Sequence, residues 1–199
     1  MPTITNIQQQ KNNPNRYSVY VDGKYAFPMS ANSLLSLGLY PNQEVSDDEL
    51  VKIRELAGYA KAYDQALNYI SLRKRTQQEV RDYLRRKEYE DAVIDQVIER
   101  ALDLRILDDA DFAASFVRDR QLLKPRSKRQ LMAELRKKGA STESIEVALS
   151  EVGEDDELQA LRDVIQKKSR RYADRNKLIQ YLGSQGFSYD SIKRVLAEE

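Results

Sequence analysis

Three clusters of lysine and arginine recur along this chain of 199 residues, each near a predicted turn between two helices. Cations grouped in this way bind phosphate groups or acidic protein surfaces. For any single cluster the alternative is a solvated helix face, because the helix dipole favours cations near helix C-termini. The threefold recurrence favours a binding role. The residues predicted to contact a partner or nucleic acid are Arg73, Lys74, Arg75, Arg85, Arg86, Lys87, Arg118, Arg120, Lys124, Arg126, Lys128, Arg129, Arg136, Lys137, Lys138, Lys167, Lys168, Arg170 and Arg171.

The sequence contains no histidine and no cysteine, which excludes Ser-His-Asp, Cys-His and zinc-protease chemistry and leaves carboxylate or lysine chemistry open. Without cysteine there is no disulfide, no zinc–thiolate site and no thiol nucleophile. Without histidine there is no imidazole base and no imidazole metal ligand. No glycine-rich phosphate-binding loop motif occurs either. We therefore predict a non-enzymatic protein that holds no metal and no cofactor.

Two acidic runs are candidates for a metal site. Asp108, Asp109 and Asp111 lie at one predicted helix start, and residues 154–157 lie at another. Carboxylates in the first turn of a helix cap free N–H groups and interact favourably with the helix dipole. We therefore interpret both runs as helix caps.

From about residue 60 the sequence repeats itself. Segments 76–98, 127–149 and 174–196 align without a gap and place apolar residues at matching positions. The aligned positions follow the spacing of one helix face, which predicts a buried side for each helix. The matching sets are Val80, Leu131 and Leu178; Leu84, Leu135 and Leu182; Ile94, Ile145 and Ile192; and Ile98, Leu149 and Leu196.

Helix signals frame the first helix of these segments. Thr76 and Ser127 are followed three residues later by Glu or Gln, the pattern of a capping box. Gly139 and Gly186 stand where that helix should end, as C-terminal glycines do. Glu88 holds the same place in the first copy, so the turn there is less strongly indicated.

A further helix precedes each aligned pair, at about 60–72, 109–124 and 155–170. In the second of these, Phe112 and Leu123 belong to the apolar face. Each repeat is therefore three helices. A unit of this size cannot bury a core alone, so neighbouring repeats must stack.

The predicted fold class is mainly α, with tandem three-helix repeats forming an elongated array behind a small N-terminal antiparallel β-hairpin or three-stranded sheet. Charged residues make up 33% of the chain, and glycine and proline are scarce, which suits long exposed helices. The predicted domains are 1–45, a hairpin cap with a short helix; 46–107, a long helix and the first repeat; 108–153, the second repeat; and 154–199, the third repeat.

Residues 1–28 have the alternating pattern of strands. Asp22-Gly23 between two such runs predicts a hairpin with a type I′ turn. Residues 3–8 predict a third strand, separated from the hairpin by a loop at 11–15. Pro28 is predicted to end the sheet.

Ser46 and Glu49 form a capping-box pattern that opens a long helix. That helix runs to Leu72 or bends near Gly58, and the sequence leaves the choice open.

The net charge of +1 means that any nucleic-acid role must rest on local basic faces. No apolar run reaches the length of a membrane span, and the first residues lack the apolar core of a signal peptide. We therefore predict a soluble, cytoplasmic, monomeric protein with no membrane partner.

The second repeat contains two distinctive segments, LDDADFAASFVRDR at 107–120 and KRQLMAELRKKGAS at 128–141. With these segments the repeat resembles the RecX family of recombination regulators. Residues 66–84 are similar to the family's first repeat, and the third copy matches more weakly. Pro125 stands where the family often has glycine, and Glu88 replaces another frequent glycine. Neither departure removes a cation predicted to function.

This resemblance implies a specific partner. RecX-like proteins bind the RecA recombinase filament in its groove, near the DNA, and restrain its ATPase, strand-exchange and co-protease activities in DNA repair and recombination. Some also bind DNA directly, so single- or double-stranded DNA is a further expected partner. The alternative that the residues alone leave open is a stand-alone DNA- or RNA-binding helical module.

Overall fold

The computed structural model describes residues 1–11, 13–123, 125–172 and 174–198. Within these ranges the chain forms four strands and ten helices. None of the helices described combines the length and apolar character that a bilayer span requires. The chain divides into two compact units, Met1–Arg73 with Val80–Ile106, and Lys74–Glu79 with Leu107–Glu199.

An antiparallel four-stranded sheet opens the first unit, in the order β3-β2-β1-β4. Asp22 and Gly23 join β2 to β3 with φ of 49° and 77°, which confirms the type I′ turn. The predicted three-stranded sheet was short by one strand, because Gln43 and Glu44 pair with β1. A strand of two residues is too short to show alternation in the sequence. The strands are β1 Thr3–Gln10, β2 Asn13–Val21, β3 Lys24–Ser30 and β4 Gln43–Glu44.

Two predicted boundaries in this sheet were wrong. Pro28 does not end the sheet, because it pairs with Ser18 and β3 continues to Ser30. As β3 is an edge strand, it tolerates a residue that has no N–H group. The predicted loop at 11–15 is shorter, since β2 already begins at Asn13, and position 12 lies outside the described residues.

The helices follow the sheet in three groups of three after a single short helix. A complete capping box between Ser46 and Glu49 begins α2, which continues through Gly58 as one helix of 25 residues. Its first half buries Leu50 and Ile53 against the sheet. The helices are α1 Ala31–Ser36, α2 Asp47–Ser71, α3 Gln77–Arg85, α4 Asp91–Asp103, α5 Asp109–Leu123, α6 Lys128–Lys137, α7 Thr142–Ser150, α8 Glu154–Lys168, α9 Arg175–Ser184 and α10 Tyr189–Glu198.

The aligned apolar positions of the repeats form the helix cores. Leu84, Leu135 and Leu182 occupy one aligned position and are each 0% exposed. Leu196 is only partly buried, at the edge of the third core. Leu123, predicted on the apolar face of α5, is instead 76% exposed. Among the described residues, the core of the second repeat takes no buried residue from α5 after Val117, so the last turn of α5 extends past it.

Two junctions between successive repeats lie within the second unit, and both depend on a buried hydroxyl. Thr76 Oγ1 donates a hydrogen bond to the backbone carbonyl of Lys138 at 2.6 Å. Ser127 Oγ donates to the carbonyl of Gln185 at 2.7 Å. Each hydroxyl also accepts from the backbone N–H three residues later, at 3.1 and 3.2 Å. Each of these two side chains therefore caps its own helix and also bonds to the backbone of the next repeat.

Carboxylates of the following repeat complete each junction. Asp109 Oδ1 accepts from the backbone N–H of Gln77 at 2.9 Å, and Glu157 Oε1 accepts from that of Lys128 at 3.1 Å. Gln77 and Lys128 are the first residues of α3 and α6. The free N–H groups that begin these helices are therefore satisfied from another repeat.

Side chains at the third helical position make a further pair of equivalent contacts. Lys138 Nζ lies 3.4 Å from Glu79 Oε1 in the first junction. In the second, Gln130 Nε2 donates to Gln185 Oε1 at 2.8 Å. An ion pair in one junction thus corresponds to an amide pair in the other.

Glycine is required for two reasons at the position after each of these acceptor carbonyls. Gly139 and Gly186 have φ of 75° and 88°, in the left-handed region. A Cβ on Gly186 would lie 2.7 Å from Ser127 Oγ, and one on Gly139 would lie 2.3 Å from Gln78 Cβ. Glu88, in the first copy, takes the same conformation with φ of 62°.

The Gly186→Ala substitution should lower the free energy of unfolding by about 1–3 kcal/mol, because alanine is strained at positive φ and its Cβ meets the Ser127 hydroxyl. Urea unfolding followed by far-UV circular dichroism measures this change. Gly183 is the matched control, since it lies inside α9 and an added Cβ there meets nothing within 4 Å. Gly183→Ala should stabilise the chain by about 0.5–1 kcal/mol. Equal effects of the two substitutions would contradict the junction geometry.

Candidate functional site

The predicted basic residues are divided between the two units. Arg73, Arg85, Arg86 and Lys87 belong to the first unit, and Lys124 lies outside the described residues. Arg85 Nε is 3.0 Å from Asp91 Oδ1. Lys87 Nζ lies 5.9 Å from the ring centroid of Tyr83. The remaining predicted cations belong to the second unit.

Several cations of the second unit take part in internal pairs. Lys74 Nζ contacts Asp111 Oδ2 at 2.5 Å and the Ser115 hydroxyl at 2.8 Å. Lys138 pairs with Glu79 across the first junction, as described above. The exposed Lys74–Asp111 pair contributes little to stability, about 0–1 kcal/mol, whereas the Lys138–Glu79 pair is more buried. Their positions are nevertheless fixed by the repeat architecture.

Glu134 holds two of the predicted arginines. Its Oε2 lies 2.8 Å from Arg120 Nε, and its Oε1 lies 3.6 Å from Arg126 Nε. The Arg120 guanidinium also lies 4.6 Å from the ring centroid of Phe116, a cation–π distance. This cluster ties α5 and α6 together and leaves Arg126 beside the second junction.

The Arg120–Glu134 pair occupies a repeat position that is aromatic elsewhere. Tyr69 and Tyr83, each 51 residues earlier in the sequence, stack with ring centroids 4.2 Å apart and planes 4° apart. In the third repeat, Tyr181 aligns with Tyr83 and Glu134, and its ring stacks at 4.9 Å on Tyr172, which lies beyond the end of α8. The first repeat thus joins α2 to α3 by stacked rings, and the second joins α5 to α6 by an ion pair.

A cavity of about 300 Å³ lies between the second and third repeats. The structure brings together Arg126, Lys167 and Lys168 of the predicted set in its lining. Tyr181 contributes an aromatic ring and Asp163 a carboxylate to the same wall. Three cations and one acid therefore surround this cavity.

The charge balance of the cavity favours an anionic group. Lys167 and Lys168 form no ion pair with any described residue, and Asp163 accepts a hydrogen bond from Gln159 at 3.0 Å. The Nε atom of Arg126 is buried and has no hydrogen-bond partner in the described ranges. Because Arg126 is already paired with Glu134, a phosphate or carboxylate entering here would meet chiefly the two ammonium groups of Lys167 and Lys168.

Sequence reasoning missed three further residues of this cavity. The predicted set contains only cations, so Tyr181 and Gln185 are not part of it, and the capping-box pattern after Ser127 assigns Gln130 to a local cap. All three line the cavity. The alignment of Tyr181 with Tyr83 indicated a residue at a helix–helix contact, but no local pattern shows that two repeats leave a gap between them.

The other predicted cations of the second unit do not line this cavity. Arg118 donates to the Ser115 hydroxyl at 3.3 Å, and Arg129 packs its Cβ close to Gly186. These side chains remain predicted partner contacts. The residues concerned are Lys74, Arg75, Arg118, Arg120, Lys128, Arg129, Arg136, Lys137, Lys138, Arg170 and Arg171.

The acidic run at the start of α5 serves as a set of caps. Asp108 Oδ1 accepts from the backbone N–H of Asp111 at 2.9 Å, while Asp109 caps α3 across the first junction. Burial raises the pKa of Asp109 above its ordinary value, and the hydrogen bond from Gln77 acts in the opposite direction. Within the described part of the chain, no three carboxylates gather in a way that could hold a metal ion.

Successive three-helix repeats behind a small sheet define a tandem helical-repeat protein. Comparison with protein families gives that class a name. Models described as the RecX N-terminal domain and the first, second and third three-helix domains of RecX match residues 2–46, 62–100, 108–149 and 154–196. The chain belongs to the RecX family of regulatory proteins.

Individual relatives agree with this assignment. The chain is 33% identical to the regulatory protein RecX of Bacillus subtilis, over 98% of this chain and 76% of that protein. The corresponding protein of Clostridium botulinum is 32% identical, over 100% of this chain and 96% of that protein. A crystal structure of a regulatory protein RecX has a TM-score of 0.80 at 26% identity, covering 99% of this chain and 100% of that one. The RecX structure from Lactobacillus salivarius has a TM-score of 0.65 at 31% identity, covering 71% and 96%.

The Asp109→Asn substitution should change how stability depends on pH. Because the pKa of Asp109 is raised by folding, the parent binds this proton more tightly when folded. Its stabilising contribution is therefore complete below the unfolded pKa and is lost as pH rises through the folded pKa. Asparagine keeps an oxygen that accepts from Gln77 and carries no charge.

Urea unfolding of both proteins from about pH 3 to about pH 7 measures this dependence. The free energy of unfolding of Asp109→Asn should rise relative to that of the parent across this range. Parallel pH profiles would show that Asp109 is not desolvated in the folded chain.

Proposed function

We propose that the chain binds the RecA recombinase filament, near the DNA in its groove, and inhibits its ATPase, strand-exchange and co-protease activities. Membership of the RecX family supports this role, because the family resemblance implies RecA as the partner. The proposal requires a cytoplasmic monomer that acts by binding, with no cofactor and no reaction of its own. Its surface contacts would be the basic residues predicted from the sequence.

The observation that carries the proposal is the basic cavity of the second unit. Lys167 and Lys168 have no ion-pair partner among the described residues, and they face the same cavity as Arg126. A nucleoprotein filament presents both carboxylates and phosphates. Either group would be bound here by charge-assisted hydrogen bonds.

Repetition of weak contacts suits a filament, whose protomers repeat along an axis. Each of the three repeats carries a basic cluster close to the start of its middle helix. Contacts that are individually weak add to a high overall affinity once the first has formed. The three-helix repeats therefore offer several points of attachment.

Contacts inside the chain decide which of these cations can be substituted without disturbing the fold. Reversing Arg126 would place a second carboxylate beside Glu134, and Arg129 packs at the Gly186 turn. Either change would disturb the fold as well as the surface. Lys167 and Lys168 avoid both problems, because their ammonium groups form no ion pair with any residue that the structure describes.

The double substitution Lys167→Glu with Lys168→Glu should weaken inhibition of the RecA ATPase on single-stranded DNA. The concentration needed for half-inhibition should rise by roughly tenfold, equivalent to about 1.4 kcal/mol of binding free energy. Lys11→Glu with Lys24→Glu is the control, since Lys11 after β1 and Lys24 at the start of β3 are both exposed and the change in net charge is the same. Far-UV circular dichroism verifies that the variants are folded.

Two results would contradict the proposal. If the parent neither lowers ATP hydrolysis nor sediments with filaments, RecA is not its partner. If the cavity variant inhibits as well as the parent and the control, the filament is bound through another surface.

A stand-alone nucleic-acid module is the second candidate, and the ring of Tyr181 in the basic cavity favours it. Aromatic rings beside cations bind unpaired bases by stacking. This function predicts binding of a thymidine oligonucleotide without recombinase, measured by fluorescence anisotropy, with affinity falling steeply as salt rises. Binding that appears only with RecA present favours the filament.

A further inference from the structure

A second cavity, of about 470 Å³, lies in the first unit and has no part in the proposed function. It opens between β2, the start of α1 and the second half of α2. Its lining is polar and rich in carboxamides. The polar side chains are those of Asn13, Asn15, Arg16, Ser30, Asn32, Asp64 and Asn68.

The carboxamides match the polar groups of a polypeptide backbone. A carboxamide has an N–H₂ donor and a C=O acceptor, the same pair that a peptide group presents in reverse. Oδ1 of Asn13 already accepts one hydrogen bond, from the backbone N–H of Asn15 at 3.1 Å. Four such side chains lie around one cavity, from the sheet on one side and from two helices on the other. This lining can bond an extended chain without reading its side chains.

The charge and composition of the cavity disfavour nucleic acid. Arg16 and Asp64 balance each other, so the lining does not attract a run of phosphates. Among the described residues that line the cavity none is aromatic, so unpaired bases find no stacking platform. The basic cavity of the second unit, by contrast, has more cations than carboxylates and contains the aromatic ring of Tyr181.

Arg16 gives the cavity a preference for one anionic group. Its backbone is fixed by the pairing of β2 with β3, where Arg16 is opposite Ser30. Its Nε atom is buried and has no hydrogen-bond partner among the described residues. The terminal N–H groups of a guanidinium can bind a carboxylate through two parallel hydrogen bonds.

The pKa of Tyr89 depends on both charged side chains of this cavity, Arg16 and Asp64. Burial raises the pKa of its hydroxyl, and Arg16 and Asp64 act on the same hydroxyl with opposite signs. The two charged side chains therefore lie within electrostatic reach of one point. A single carboxylate beside Arg16 would leave Asp64 free to accept an N–H group.

We propose that this cavity, which we call the asparagine cleft, binds an extended segment of a partner protein that carries an aspartate or glutamate. The carboxamides bond the backbone of the segment, and Arg16 holds its carboxylate. This is a docking site on the N-terminal sheet unit, separate from the basic cavity of the repeats and independent of the recombinase.

Nuclear magnetic resonance of the full isotope-labelled chain tests this proposal with acetyl-Ala-Ala-Asp-Ala-Ala-amide as the probe. Saturable shifts are expected in the side-chain amide signals of Asn13, Asn32 and Asn68. The peptide with Asn in place of Asp should bind at least about fivefold more weakly, because it lacks the charge that Arg16 requires. This comparison uses only the parent protein, so it does not depend on any variant folding.

Arg16→Gln should remove the difference between the two peptides. Arg54→Gln is the matched control, since Arg54 is exposed on α2 and does not line the cleft. Equal binding of the two peptides by the parent, or no saturable shift with either, would overturn the proposal. Shifts of the same amides by a thymidine oligonucleotide but by neither peptide would overturn it too, and would assign the cleft to nucleic acid.

Discussion

A buried hydroxyl that serves two helices at once is the interaction on which the second unit depends. Ser127 accepts from the first turn of α6 and donates to a carbonyl at the end of α9, and Thr76 does the same one repeat earlier. The left-handed glycine after each carbonyl brings that backbone close enough for the bond. A buried carbonyl left unpaired costs about 1–3 kcal/mol, so the hydroxyl and the glycine are required together.

This constraint explains which parts of the fold the sequence could predict. Capping residues, glycines and apolar periodicity act within a few residues, and they correctly indicated the three repeats and the hairpin turn. The hydroxyl bonds join residues 62 and 58 positions apart, and no local pattern reveals them. Gln130 looked like the partner of its own helix cap, yet its side chain reaches Gln185. The two-residue strand β4 likewise depends on contacts with a distant strand.

The candidate site could also be predicted only in part. Residue type identified the cations, and repetition suggested that they act together. The ion pairs that these cations form could not be predicted from the sequence, because Glu134 binds two of the arginines only after α5 and α6 have packed. The aromatic member of the basic cavity, Tyr181, looked like a packing residue for the same reason. Sequence thus shows where charge is available, and the fold decides which charges are left for a partner.

The carboxylates that reach back across the junctions have a consequence for local opening. The amide hydrogen of Lys128 belongs to the second repeat, but its acceptor, Glu157, belongs to the third. That amide therefore exchanges with solvent when the third repeat opens, even while its own helix stays folded. The amide hydrogen of Gln77, in the first repeat, is likewise bonded to Asp109 of the second. Two backbone positions thus act as built-in reporters on the opening of a neighbouring repeat.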